Sequence, residues 1–222
     1  MIKSLFFPVS QSKYTSNEND IYWANEIMNG GYILHFRHTE RDKWIDVQVY
    51  DVLESDVHKN GINESRYAEN DYFSNAVCLN ERGKIQAKAI GEIIKHIGLP
   101  IGVVHSSVSC RARQTAELAF GGYDKLHRIL VHKGPYLEDE TERVKKLTKL
   151  YKSIKIEENK NAIVSSHGAV INCDMFVNDK CPYDMLTLEE GGFYVLKNTQ
   201  AGLVFEYEFH NFNDFNKIFF NR

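Results

Sequence analysis

Short apolar runs that stop abruptly at polar or charged residues alternate along this chain with stretches in which apolar residues recur every three to four positions. Residues 32–36 form the first such run, preceded by Gly30-Gly31, and read as a buried strand of a parallel sheet that ends on Arg37, His38 and Thr39. Upstream, Asn19 or Asp20 can cap a helix carrying Ile21, Trp23, Ala24, Ile27 and Met28, which the glycine pair terminates. Asn80 opens the clearest helix, with Ile85, Ala89, Ile90, Ile93 and Ile94 at helical spacing up to Gly98-Leu99-Pro100. A strand at 101–105 follows, and Ser106-Ser107 turns the chain into a second helix holding Arg111, Arg113, Thr115 and Leu118 before Gly121-Gly122. Residues 128–132 read as a third strand and 162–165 as a fourth, which Ser166-His167-Gly168 terminates ahead of a helix over 169–177. The runs at 193–196 and 203–209 read as late strands on the same sheet.

Strands alternating with helices predict an α/β protein, a three-layer sandwich with a mainly parallel central sheet and helices on both faces. A length of 222 residues fits one domain, 1–222, since single cores grow to roughly 250 residues before splitting. Within it, 1–18 is a polar lead-in. Residues 41–75, rich in Asp, Asn, Glu and Ser, form a long loop over the strand ends, either a lid or a surface decoration. Neither an internal repeat nor a linker is visible.

Composition narrows the class further. With 43% hydrophobic and 26% charged residues the chain is ordinary for a globular protein, and its net charge of -3 gives no electrostatic footprint for nucleic acid. Cys78, Cys110, Cys173 and Cys181 are dispersed without CxxC or zinc-finger spacing, which reads as reduced thiols. The early apolar stretch at 5–9 is broken by Pro8 and too short for a signal peptide, so a cytoplasmic location is expected. No apolar run approaches the roughly 18 residues that a membrane span needs.

The chemistry gathers where strands stop. Open α/β sheets bind ligands outside the carboxyl ends of their strands. There this chain carries Arg37-His38, then Ser106-Ser107 with Arg111, then Glu138 with Asp139 and Glu140, then His167. Arginine offers phosphate a fixed fork of donors, and a neutral histidine beside it can attack phosphorus or exchange a proton. Arg111 near a helix start adds to the anion preference of the helix dipole, whereas Arg113 reads as a solvated helical arginine. The acidic residues before the fourth strand either cap a helix or supply a general acid. Competing chemistries lack their letters: no Cys lies six positions before an Arg, Gly-x-Ser-x-Gly is absent, and Gly83-Lys84 lacks the partner glycine of a nucleotide-binding loop. His35 and His38, three apart on an extended segment beside Arg37, are a poor zinc pair.

At these residues the sequence resembles the histidine phosphatase superfamily, also called phosphoglycerate mutase-like. Residues 34–40 (Leu-His-Phe-Arg-His-Thr-Glu) match its first motif, with Thr39 in place of Gly or Ala. Residues 79–87 (Leu-Asn-Glu-Arg-Gly-Lys-Ile-Gln-Ala) match its helix signature, 106–116 (Ser-Ser-Val-Ser-Cys-Arg-Ala-Arg-Gln-Thr-Ala) its second, and 164–168 (Val-Ser-Ser-His-Gly) its second histidine motif. The resemblance implies a phosphatase in which His38 takes the phosphoryl group, Arg37, Arg111 and His167 hold it, and Glu138, or else its neighbour Asp139 or Glu140, donates the proton, with neither metal nor cofactor. The implied partner is a phosphorylated small molecule or a phosphoprotein. The competing expectation is a phosphate-recognising binding module that turns over slowly or not at all and meets its partner through Thr39 and the 41–75 segment.

Overall fold

The structure is a computed structural model that describes residues 17–42, 77–131, 139–181 and 188–220. Residues 1–16 of the 1–18 lead-in, most of the long loop and Glu138 lie outside the described residues, while Asn17 and Glu18 belong to the first helix. Among the described residues, helix α1 (Glu18–Met28) starts two or three residues earlier than the sequence suggests, because Asn17 rather than Asn19 or Asp20 is its cap and accepts from the Asn19 N–H. Strand β1 (Ile33–Arg37) follows Gly30 and Gly31, both at positive φ, as the breaker pair required. Helix α2 (Glu81–Ile97) runs from the Asn80 cap to a left-handed Gly98, and strand β2 (Ile101–Ser107) leads into α3 (Cys110–Phe120). Then come β3 (Lys125–His127), α4 (Glu140–Ser153), β4 (Asn161–Ser166), β5 (Phe193–Asn198), β6 (Leu203–Phe209) and α5 (Phe212–Phe220).

Among the described residues one sheet takes six strands in the order β3-β2-β4-β1-β5-β6, with β3, β2, β4 and β1 mutually parallel, β5 antiparallel to β1, and β6 antiparallel to β5. The fold class is therefore as expected, a mainly parallel α/β sandwich. Alternate residues of β1 point to opposite cores: Leu34 and Phe36 join Ile27, Ile90, Ala116 and Phe215 from α1, α2, α3 and α5. Ile33 joins Leu147 and Tyr151 from α4 on the other side. Burying side chains of this size contributes roughly 1.5–3 kcal/mol each, before the entropy of ordering them. At the N-terminal edge the buried Asn161 side chain donates to Ile27 and Pro100 carbonyls (2.7 and 3.1 Å) and accepts from the Tyr32 N–H (3.2 Å), tying α1, β1, β2 and β4 together.

Several expectations give way. The third strand is 125–127, and 128–130 is a 3-10 turn. Two further 3-10 turns, 168–170 and 173–175, replace the helix expected over 169–177, since each is closed by its own short backbone bonds. The C-terminal helix α5 was not anticipated, although Phe212, Phe215 and Ile218 fall at helical spacing and are buried. Ile85 is 68% exposed, so the buried stripe of α2 is Gly83, Ala87, Ile90 and Ile94. The thiols are not reduced: Cys78 pairs with Cys110 and Cys173 with Cys181, both far apart in sequence or across a turn, which spacing alone does not reveal. None of the described helices is long and apolar enough to cross a membrane.

Candidate functional site

The parallel ladder between β1 and β4 ends in register at Arg37 and Ser166, and one more bond, His38 N–H to Ser166 O (2.9 Å), delivers His38 to the rim beside His167. The His38 and His167 rings lie 5.2 Å apart, edge to face. The Nδ1 of His38 is 2.8 Å from the Thr39 carbonyl oxygen. A carbonyl only accepts, so Nδ1 carries the hydrogen and Nε2 holds the lone pair. Burial pushes the His38 pKa well below its ordinary value, and the Arg111, Arg37 and Arg41 charges push it the same way, against the opposing pull of the Thr39 carbonyl. His38 is thus a neutral imidazole with a free electron pair among cations.

Arg111, 1% exposed, donates from Nη2 to His167 Nδ1 (3.2 Å) and from Nη1 to the Val77 carbonyl (3.3 Å). Because a guanidinium only donates, His167 accepts at Nδ1, and its proton resides on Nε2. Arg37 donates from Nη1 to the Leu188 carbonyl and from Nη2 toward Glu190 Oε1 (3.5 Å). The Gly168 Cα faces the Arg37 stem, since a Cβ there would sit 3.7 Å from Arg37 Cδ. Arg37, His38, Arg111 and His167 therefore share one rim. Glu138 lies outside the described residues. Of its neighbours, Asp139 caps α4 by accepting from the Glu142 N–H (2.8 Å), and Glu140 is exposed, with Asn172 at 3.3 Å.

The remaining motif letters hold this rim together. A Cβ on Gly83 would lie 1.9 Å from the Glu40 carbonyl oxygen, so only glycine lets α2 approach the exit of β1. Gln86 accepts from the Glu40 N–H (3.1 Å) and donates to the Glu190 carbonyl (2.7 Å), bridging the two segments that flank Arg37. Thr39, 0% exposed, turns away from the rim: its hydroxyl donates to Gly83 O (2.9 Å), and its N–H donates to Thr115 Oγ1 (3.1 Å). It is thus unavailable for the partner contact expected of a binding module. Arg113 is also corrected. It is 3% exposed rather than solvated, and its Nε donates to Val108 O (3.0 Å), closing the loop before α3. Sequence reasoning missed Glu190, gave Gln86 no role beyond its motif, and weighed His35 only as a zinc ligand; the signal for His35 was a histidine inside an otherwise apolar strand.

Among the described residues no group of three or more His, Cys, Asp or Glu is placed to hold a metal ion. Residues 72–134 match the family model described as Histidine phosphatase superfamily (branch 1), a stretch that contains two of the four motifs and Arg111, with His38 and His167 outside it. A phosphoglycerate mutase of Candida albicans is 36% identical over 66 residues, 29% of this chain and 27% of that protein. A 2,3-bisphosphoglycerate-dependent phosphoglycerate mutase of Streptomyces avermitilis is 46% identical over 57 residues, 26% of this chain and 22% of that protein. The chain thus spans about a quarter of the length of the curated relatives it matches. A crystal structure of a protein from Escherichia coli str. K-12 substr. MG1655 superposes with a TM-score of 0.50 at 14% identity, covering 81% of this chain and 96% of that one, a likeness of fold. The resemblance to the histidine phosphatase superfamily stands.

Proposed function

We propose that this chain is a phosphatase that hydrolyses phosphomonoesters through a phosphohistidine at His38 Nε2. The observation that carries the reading is the tautomer of His38: with Nδ1 bound to the Thr39 carbonyl and the ring held neutral, Nε2 is a nucleophile at neutral pH. Its lone pair attacks phosphorus, the bond from phosphorus to the ester oxygen breaks, and that oxygen departs with a proton from Glu138. Water then attacks phosphorus while its proton passes to the Glu138 carboxylate, and the bond from phosphorus to Nε2 breaks, which releases phosphate and returns His38 to its neutral form and Glu138 to its acid form. Arg37, Arg111 and the Nε2–H of His167 neutralise the equatorial oxygens, which is where most catalysis of phosphoryl transfer arises.

The superfamily contains both phosphatases and mutases, and in this reading the acceptor is water. No cofactor is required by these steps, and the partner is a phosphorylated small molecule or a phosphoprotein, with neither nucleic acid nor membrane involved. Cytoplasmic residence was expected partly from reduced thiols; two disulfides favour an oxidising compartment instead. A rapid quench with labelled substrate should trap an acid-labile, base-stable phosphoenzyme that His38→Ala does not form. Label retained by that variant overturns the assignment, and phosphate passed to a second hydroxyl rather than released makes the protein a mutase.

A further inference from the structure

Between the sheet and α4 lies a buried histidine that the phosphoryl-transfer steps leave unused. His35, 0% exposed, stands on β1 three residues before His38. Its Nε2 is 3.0 Å from the carbonyl oxygen of His167, and its Nδ1 is 2.6 Å from the Tyr151 hydroxyl. Since the carbonyl only accepts, Nε2 carries the hydrogen and Nδ1 accepts from Tyr151. The hydrogen bonds therefore run one way, from Tyr151 through His35 to the main chain of His167. Tyr194 stacks on the imidazole at 5.9 Å and limits its rotation.

The location of the accepting carbonyl gives this chain its meaning. His167 follows the last residue of β4 and precedes a 3-10 turn, so its carbonyl has passed beyond the sheet ladder. It accepts from the Val170 N–H (3.2 Å) within that turn and from His35 across the core. The ring of the same residue is gripped at Nδ1 by Arg111. His167 is thus fixed twice, its backbone by His35 of β1, which Tyr151 of α4 backs, and its imidazole by Arg111 of α3. A leucine would fill the volume of His35 with no polar group to satisfy, whereas a buried imidazole is costly unless both nitrogens are paired.

We propose that His35 is a positioning residue for phosphoryl transfer, which through its hydrogen bond to the His167 carbonyl aims the His167 ring at the phosphoryl group. The proposal rests on the phosphatase reading above and deepens it. Loss of the donor lets the residue that contacts the transferring group shift, and displacements of about 1 Å cost on the order of a hundredfold in rate. Tyr151 contributes less, because the carbonyl alone already dictates the His35 tautomer.

The test compares His35→Leu, His35→Asn, His35→Gln and Tyr151→Phe with the parent, using p-nitrophenyl phosphate as substrate and vanadate as inhibitor. Glutamine places a donor where Nε2 stood; asparagine is too short to reach the carbonyl. Leu and Asn should lose roughly 10- to 100-fold in kcat with little change in KM and weaken vanadate by a similar factor, Gln should recover most of the loss, and Tyr151→Phe should stay within a few fold. If His35→Leu does not fold, the contrast between Asn and Gln carries the same information. Equal kinetics for Asn and Gln, whatever their melting temperatures, make His35 a core residue and overturn the proposal. Should the parent hydrolyse nothing, the phosphatase reading falls; binding of inorganic phosphate by calorimetry, weaker in Asn than in Gln, then decides the role of His35 independently.

Discussion

Removing the Cys78–Cys110 disulfide takes away the crosslink that fixes residues 77–79 to the first turn of α3. The bridge spans 32 residues in sequence, the Cys173–Cys181 bridge 8. In the chain-entropy account, closing these loops restricts the unfolded chain enough to stabilise the fold by about 3.7 and about 2.5 kcal/mol. Both half-cystines of the longer bridge are buried, so Cys78→Ala with Cys110→Ala also leaves a small void, which increases the loss. The local geometry has other supports, since Arg111 still donates to Val77 O and the Leu79 N–H to Gln114 Oε1 (2.8 Å). The effect should therefore appear in global stability. With a urea slope of about 2 kcal/mol per molar, the double variant should unfold about 1.8 M earlier than the parent, and Cys173→Ala with Cys181→Ala about 1.3 M earlier. Urea titrations followed by fluorescence measure both, and thiol titration of the denatured, unreduced parent should find no free thiol. Four titratable thiols, or a larger shift for the 8-residue bridge than for the 32-residue one, would refute the reasoning.

Gly83→Ala should cost on the order of 3 kcal/mol in chemical denaturation, because its Cβ meets the Glu40 backbone and neither helix nor strand end can retreat freely; an unchanged midpoint would show that α2 does not lie on Glu40. Thr39→Val removes the donor to Gly83 O and should destabilise by about 1–3 kcal/mol with kcat within a few fold, whereas a stable variant with a large kcat loss would place the hydroxyl on the substrate. Burial lowers the pKa of His35 and of His105 to about 4 and depresses those of His38 and His127. Each of these groups takes up a proton more readily in the unfolded chain, so their contribution is complete above about pH 6.5 and is lost as pH falls toward 4, His35 alone accounting for roughly 3 kcal/mol. Denaturation midpoints that stay flat from pH 7.5 to 5 would contradict this. Glu138→Gln should slow substrates with poor leaving groups by about 10²–10⁴-fold while sparing an activated aryl phosphate, whereas Asp139→Ala should lose only about 1 kcal/mol of helix capping; the reverse pattern in leaving-group assays moves the acid to Asp139.

Local physics encodes the features that can be read directly along the chain. The run into Arg37-His38 announced β1 and its polar stop, the Asn80 cap and Gly98 bounded α2, and the order of strands and helices implied a parallel sheet whose carboxyl edge gathers the charged residues. Each depends on period, cap and breaker within a few residues. Features that depend on a partner distant in sequence emerge only once the chain is folded. Thr39 faces Gly83, 44 residues away, rather than the rim; Cys110 finds Cys78 only because α3 packs against the entry to α2. Arg113 is buried because the loop before α3 folds its Val108 carbonyl back onto the guanidinium, while helical spacing alone left that side chain in water. His35 is the sharpest case. Along the chain it reads only as a poor zinc partner for His38, because its actual partner is the carbonyl of a residue 132 positions on, and only the β1–β4 register, set by hydrogen bonds between strands that are not consecutive in the chain, brings that carbonyl to its Nε2.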